Sequence, residues 1–136
     1  MSPTPTSVII ADDHRVVREG LATILGAVDG VQVAGMAADG AQAVELAVEH
    51  EADVVLMDLH MPGTDGVEAT RRLKTERPAT AVVVLTTYTD DDSILAALEA
   101  GATGYLTKNA SAADIHRAIK AAVSGHTCST RSPPPA

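Results

Sequence analysis

An α/β domain of (βα)5 pattern is expected, a mostly parallel sheet covered by helices on both faces. Three observations predict it. Five short aliphatic runs alternate with five helix-like segments. The runs are apolar almost throughout, as strands buried on two faces are. Polar residues close four of them, at the sheet edge where open α/β folds place their sites.

The elements follow in order. After a short leader, residues 1 to 6, come runs at Val8 to Ala11, Val31 to Ala37, Val54 to Asp58, Ala81 to Thr86 and Gly104 to Thr107. The helix-like segments between and after them are His14 to Ala27, Asp39 to His50, Asp65 to Glu76, Asp90 to Ala100 and Ser111 to Ser124. In the last of these, Ile115, Ile119 and Ala122 form a stripe at helical spacing, leaving Asp114, Arg117 and Lys120 for water. Pro78 precedes the fourth strand, Gly101 follows the fourth helix, and Asp90, Asp91 and Asp92 offer a cap with acidic first-turn residues. Ala96, Ala97 and Ala100 are read as packing. From Gly125 the chain has no periodicity, so a folded unit of residues 7 to 124 is followed by a disordered tail or linker of residues 125 to 136.

Composition narrows the function. The chain of 136 residues is 46% hydrophobic, enough for one compact domain. Phe and Trp are absent and the only aromatics are Tyr88 and Tyr105, so the core must be aliphatic. With 18 acidic residues against 10 Lys plus Arg, a formal charge of -8 argues against this segment gripping a phosphate backbone by itself. Cys128 is the single cysteine, which excludes an internal disulfide and fits the cytoplasm. The first residues carry no basic region or long apolar stretch, so neither signal peptide nor membrane span is expected.

Asp12 and Asp13 end the first strand and Asp58 the third. Two unit charges about 4 Å apart repel by roughly 1 kcal/mol in water and roughly 4 kcal/mol at an effective dielectric of 20, so the cluster calls for a cation. Oxygen ligands without a nearby Cys point to Mg2+ before zinc. The bland alternative is that these acids merely cap the helices after their strands. His14 is expected to cap the first helix or face solvent, and Asp53 to stay outside the site.

Four segments carry a resemblance: Ile10-Ala11-Asp12-Asp13-His14, Leu56 to Gly66, Val84-Leu85-Thr86-Thr87, and Ala100 to Lys108. With them the chain resembles the receiver domain of two-component response regulators, more closely those of the NarL/FixJ type, over about Ser7 to Ser124. The resemblance implies a flavodoxin-like (CheY-like) sheet of order 2-1-3-4-5 and phosphotransfer from a sensor histidine kinase to Asp58. It implies Mg2+ held by Asp13, Asp58 and the backbone carbonyl of His60, with Asp12 acting through water. Lys108 and Thr86 would bind the phosphoryl group, Thr87 would keep the site open, and Tyr105 would move with Thr86. Moving a two-state domain from 1:99 to 99:1 takes about 5.5 kcal/mol, and charged hydrogen bonds are worth roughly 1.5 to 3 kcal/mol each, so Thr86 and Lys108 reach that scale. The side chains of His60 and Tyr88 would tune phosphoryl lifetime, and Pro62-Gly63 would form a plain turn. Asn109 departs from the common pattern of proline or aspartate after the lysine, which puts the peptide geometry there in question.

The implied role is a phosphoacceptor that dephosphorylates itself and is not a turnover enzyme. Its switched face, formed by the fourth helix, fifth strand and fifth helix, would control a DNA-binding helix-turn-helix domain absent from this chain. Homodimerisation on phosphorylation is compatible with this, and membrane contact is not expected. A stand-alone receiver acting on proteins is the alternative. A Mg2+-dependent aspartyl-phosphate hydrolase is weaker, because His60 stands where such enzymes carry a second acid. A flavodoxin lacks its phosphate loop here, and a receiver-like module without phosphorylation would not need the full set of Asp12, Asp13, Asp58, Thr86 and Lys108.

Overall fold

A computed structural model describes residues 5–86 and 91–124. The leader before Pro5, the tail from Gly125, Asp90, and the site candidates Thr87 and Tyr88 lie outside the described residues. Five strands and five helices alternate: β1 (Thr6–Ala11), α1 (Arg15–Gly26), β2 (Val31–Ala37), α2 (Gly40–Glu49), β3 (Val54–Asp58), α3 (Gly66–Glu76), β4 (Ala81–Thr86), α4 (Asp91–Ala100), β5 (Gly104–Thr107) and α5 (Ala112–Val123). The strands form one parallel sheet of order β2-β1-β3-β4-β5. β1 starts two residues ahead of its apolar run, because the Thr6 amide donates to the Gly30 carbonyl at 2.7 Å and joins the edge ladder.

Alternate residues of each strand feed two cores. Ile9, Ala11, Val55, Met57, Val82 and Val84 pack under α2, α3 and α4, whereas Val8, Ile10, Leu56, Val83, Leu85 and Leu106 pack under α1 and α5. The α5 stripe is buried as expected, with Ala118 added to it, while Arg117 and Lys120 stay exposed. On α4, Ala97 is buried, and Leu95 and Leu98 face outward.

Helix starts are set by side chains other than the clustered acids. Asp39 accepts from the Gln42 amide at 2.8 Å, Asp65 from Glu68 at 2.9 Å and Ser111 from Asp114 at 3.1 Å, each satisfying a first-turn N–H. At α1 the cap position is His14, whose side chain makes no capping bond. The bland reading of Asp12, Asp13 and Asp58 as caps therefore fails. No cis peptide bond occurs among the described residues, so Lys108-Asn109 is trans. There the Thr107 hydroxyl bonds Asn109 Oδ1 at 2.5 Å and the Ala110 amide bonds the Thr107 carbonyl at 3.0 Å.

Two glycines let helices approach the loop after β3. The Gly40 amide bonds the Thr64 carbonyl at 2.9 Å, and the Gly66 amide bonds the Leu59 carbonyl at 3.0 Å. A Cβ on Gly66 would stand 2.2 Å from the Asp58 carbonyl oxygen and 2.8 Å from Leu59 Cα, which are backbone atoms that cannot swing aside. Gly66→Ala should therefore destabilise by about 3 kcal/mol, overriding the roughly 1 kcal/mol that Ala gains in helix propensity. A urea midpoint equal to that of the parent would sink this account.

Candidate functional site

The parallel ladder runs past the strand ends and fixes the residues that follow. The Asp12 amide bonds the Ala37 carbonyl at 3.0 Å, Leu59 bonds Leu85 at 3.2 Å, and the Lys108 amide bonds the Thr86 carbonyl at 2.8 Å. Within the ladder Asp58 pairs with Leu85, and Thr86 with Thr107. Asp12, Asp58, Thr86 and Lys108 are thus held at one edge by backbone bonds.

Side chains converge on that edge. Lys108 Nζ lies 2.8 Å from Asp12 Oδ2 and 3.2 Å from Asp58 Oδ2. Asp12 is fully buried, and Asp58 and Thr86 nearly so. Burial chiefly, and then the charge of Asp12, push the Asp58 carboxyl above the ordinary carboxylate value, against the opposing pull of Lys108 and the His60 amide. For Lys108, burial alone would lower the ammonium, yet its bond to Asp12 and the charges of Asp58 and Asp12 together hold it above the usual lysine value.

One lysine does not saturate these acids. Asp12 Oδ2 and Asp13 Oδ1 are buried without a well-aligned hydrogen bond, although Lys108 stands 2.8 Å from the first and the His14 ring 3.1 Å from the second. Asp12, Asp13, His14 and Asp58 each bring one ligand atom within 4.8 Å of the others. Carboxylate oxygens at this spacing fit a divalent cation.

Two residues join the site without having been assigned to it. His14 donates its amide to Asp12 Oδ1 at 2.8 Å, and Arg18 Nη1 bonds the Asp12 carbonyl at 2.8 Å. The readable signal for His14 was the habit of Asp side chains to bond the backbone two residues on. His60 is exposed and offers its amide to Asp58 Oδ1 at 3.3 Å, so no second acid stands beside that carboxylate from this position. Tyr105 is half-buried against the core under α2, α3 and α4. Gly63, at φ +74, makes the turn after Pro62. Asp53 sits outside the site as expected, accepting from the Ser7 amide at 2.8 Å. No helix among the described residues is long and apolar enough to cross a membrane.

Comparison with known proteins places the chain in a family. Residues 8–120 match the response regulator receiver domain family. The chain is 48% identical over 118 residues to the transcriptional regulatory protein LiaR of Bacillus subtilis (strain 168), covering 87% of this chain and 56% of LiaR. It therefore spans about half the length of the curated relatives it matches. A LuxR-family two-component response regulator from Aurantimonas sp. SI85-9A1 superposes with a TM-score of 0.85 at 35% identity, over 93% of this chain and 89% of that one. The isolated receiver domain of RcsB from Salmonella enterica serovar Typhimurium, solved with the phosphomimetic BeF3-, gives 0.83 at 28% identity, over 93% and 94%.

Proposed function

We propose a function from one premise, that the chain belongs to the response regulator receiver domain family. In this reading Asp58 accepts a phosphoryl group from the phosphohistidine of a sensor histidine kinase. A carboxylate oxygen of Asp58 forms the new P–O bond as the P–N bond breaks, and the electron pair leaves with the kinase imidazole. The observation that carries the proposal is Lys108 Nζ, within 3.2 Å of both Asp12 and Asp58 at the buried edge.

Asp13, Asp58 and the His60 backbone carbonyl would hold Mg2+, with Asp12 reaching it through water. Bound there, the ion would supply positive charge to the phosphoryl oxygens. Lys108 would bind a phosphoryl oxygen once its contact with Asp58 is displaced, and the Thr86 hydroxyl another. Support for the switch is positional: Thr86 carries the backbone of Lys108, and Tyr105 lies on the neighbouring strand beside Val84. Thr87, Tyr88 and the His60 side chain would govern access and the lifetime of the acyl phosphate. The α4-β5-α5 face would pass the signal, by homodimerisation or directly, to a helix-turn-helix domain that binds DNA. Residues 7–124 would be the receiver, 1–6 a leader and 125–136 a linker. The chain would work in the cytoplasm, as a phosphoacceptor that dephosphorylates itself and not as a turnover enzyme.

Incubation of the wild-type chain with a small phosphodonor and Mg2+, followed by intact mass and peptide mapping, tests this. One phosphoryl adduct at Asp58, lost when EDTA is present, is expected. An adduct elsewhere, or none, would falsify the proposal.

A further inference from the structure

We infer that His14 is a fourth protein ligand of the cation site, through Nδ1, and that it turns the preference of the site from Mg2+ toward a later first-row divalent cation. The inference rests on the cation-binding part of the proposed function and goes beyond its all-oxygen ligand set.

Placement of the ring comes first. The His14 amide is tied to Asp12 Oδ1 at 2.8 Å, and its backbone is extended, with φ -97 and ψ 115. The ring lies against the acids, with Nδ1 in hydrogen-bond contact with Asp12 Oδ1 at 3.2 Å and 3.1 Å from Asp13 Oδ1. Adjacent corners of an octahedron with metal–ligand bonds of about 2.1 Å lie roughly 3.0 Å apart, and opposite corners roughly 4.2 Å. The nitrogen thus stands at corner spacing from the Asp13 carboxylate, and the set including Asp58 lies within 4.8 Å. Asp13 Oδ1 is buried without a hydrogen-bond partner.

Chemistry then separates the cations. Carboxylate and carbonyl oxygens suit Mg2+, whereas imidazole suits Fe2+, Ni2+ and Zn2+, and affinities for nitrogen-containing sites rise along the first row. The ring is 68% exposed, so Nε2 can carry the proton while Nδ1 faces the cation.

Titration of the full chain with CoCl2 and with MgCl2 tests this, because Co2+ lies on the rising part of the affinity series and shifts the NMR signals of a bound imidazole. The wild type should bind Co2+ at least about tenfold more tightly than Mg2+. His14→Ala, at an exposed position, should lose about tenfold in Co2+ affinity and less than about threefold in Mg2+ affinity. The shifted His14 ring signals should vanish with it. Equal affinities of wild type and His14→Ala for Co2+ would overturn the inference while leaving phosphorylation of Asp58 standing. Tighter binding of both cations by His14→Ala would also overturn it, showing the ring to be a mere counter-charge. Failure of the wild type to bind either cation would remove the inference together with the Mg2+ part of the proposed function, whereas Asp58 mapping tests the acceptor separately.

Discussion

Asp58→Asn should abolish the phosphoryl adduct and, without divalent cations, make the protein more stable than the parent. The first effect follows from chemistry, since an amide oxygen cannot carry the acyl phosphate. The second follows from burial. The Asp58 carboxyl is raised above its ordinary value of 3.8 by burial and by the charge of Asp12. A raised acid favours the folded state when protonated, so wild type and Asn variant should match below pH 3.8. As the pH rises through the elevated folded value, the wild type loses stability and the variant does not. At neutral pH the variant should lead by about 1 kcal/mol, roughly 4 °C in melting temperature. Lys108 is not orphaned by the change, because Asp12 Oδ2 still lies 2.8 Å from it. Adding Mg2+ should narrow the gap by stabilising the wild type, since a ligand that binds only the folded state raises its stability. Melting curves with EDTA and with Mg2+, at acid and neutral pH, decide it. A variant less stable than wild type in EDTA at neutral pH would refute the account of Asp58 as a burdened carboxylate.

The elements were legible because their signals are local. Four of five strand ranges coincide with the aliphatic runs, and β3 and β4 are buried along their whole length, as their unbroken apolar runs require. Helix ends fell within a residue or so of expectation where Asp39, Asp65 and Ser111 supply caps. The convergence of Asp12, Asp58, Thr86 and Lys108 was legible too, because parallel strands all finish at one edge. What stayed hidden depends on contacts between segments distant in the chain. Nothing near Gly66 announces that the Asp58 carbonyl will pass so close to its Cα, because that contact exists only after α3 folds back on β3. Similarly, an Asp-Asp-His triplet does not say whether the ring turns outward or back over the acids. The ring's contacts with Asp12 and Asp13 form only once Asp12 is anchored in the sheet.

Lys108→Ala should damage both stability and phosphorylation, and only the first should be repairable by a cation. The ammonium bridges both buried acids, 2.8 Å from Asp12 Oδ2 and 3.2 Å from Asp58 Oδ2. Its removal leaves two buried carboxylates facing each other. Breaking a buried ion pair from one side costs about 3 kcal/mol, so the melting temperature in EDTA should fall by roughly 10 °C. A divalent cation can supply the missing charge, so Mg2+ should raise the melting temperature of this variant more than that of wild type. Phosphorylation behaves differently, because the cation and the ammonium act on different phosphoryl oxygens. Loss of one preorganised charge donor lowers the rate by about 100-fold, and saturating Mg2+ should not restore it. Lys108→Arg keeps the charge but replaces a compact ammonium by a planar fork, so it should recover more of the stability than of the rate. If Lys108→Ala melts like wild type in EDTA, the lysine does not neutralise the acids. If its phosphorylation rate is unchanged at saturating Mg2+, the lysine has no part in phosphoryl transfer and the site reduces to its acids and their cation.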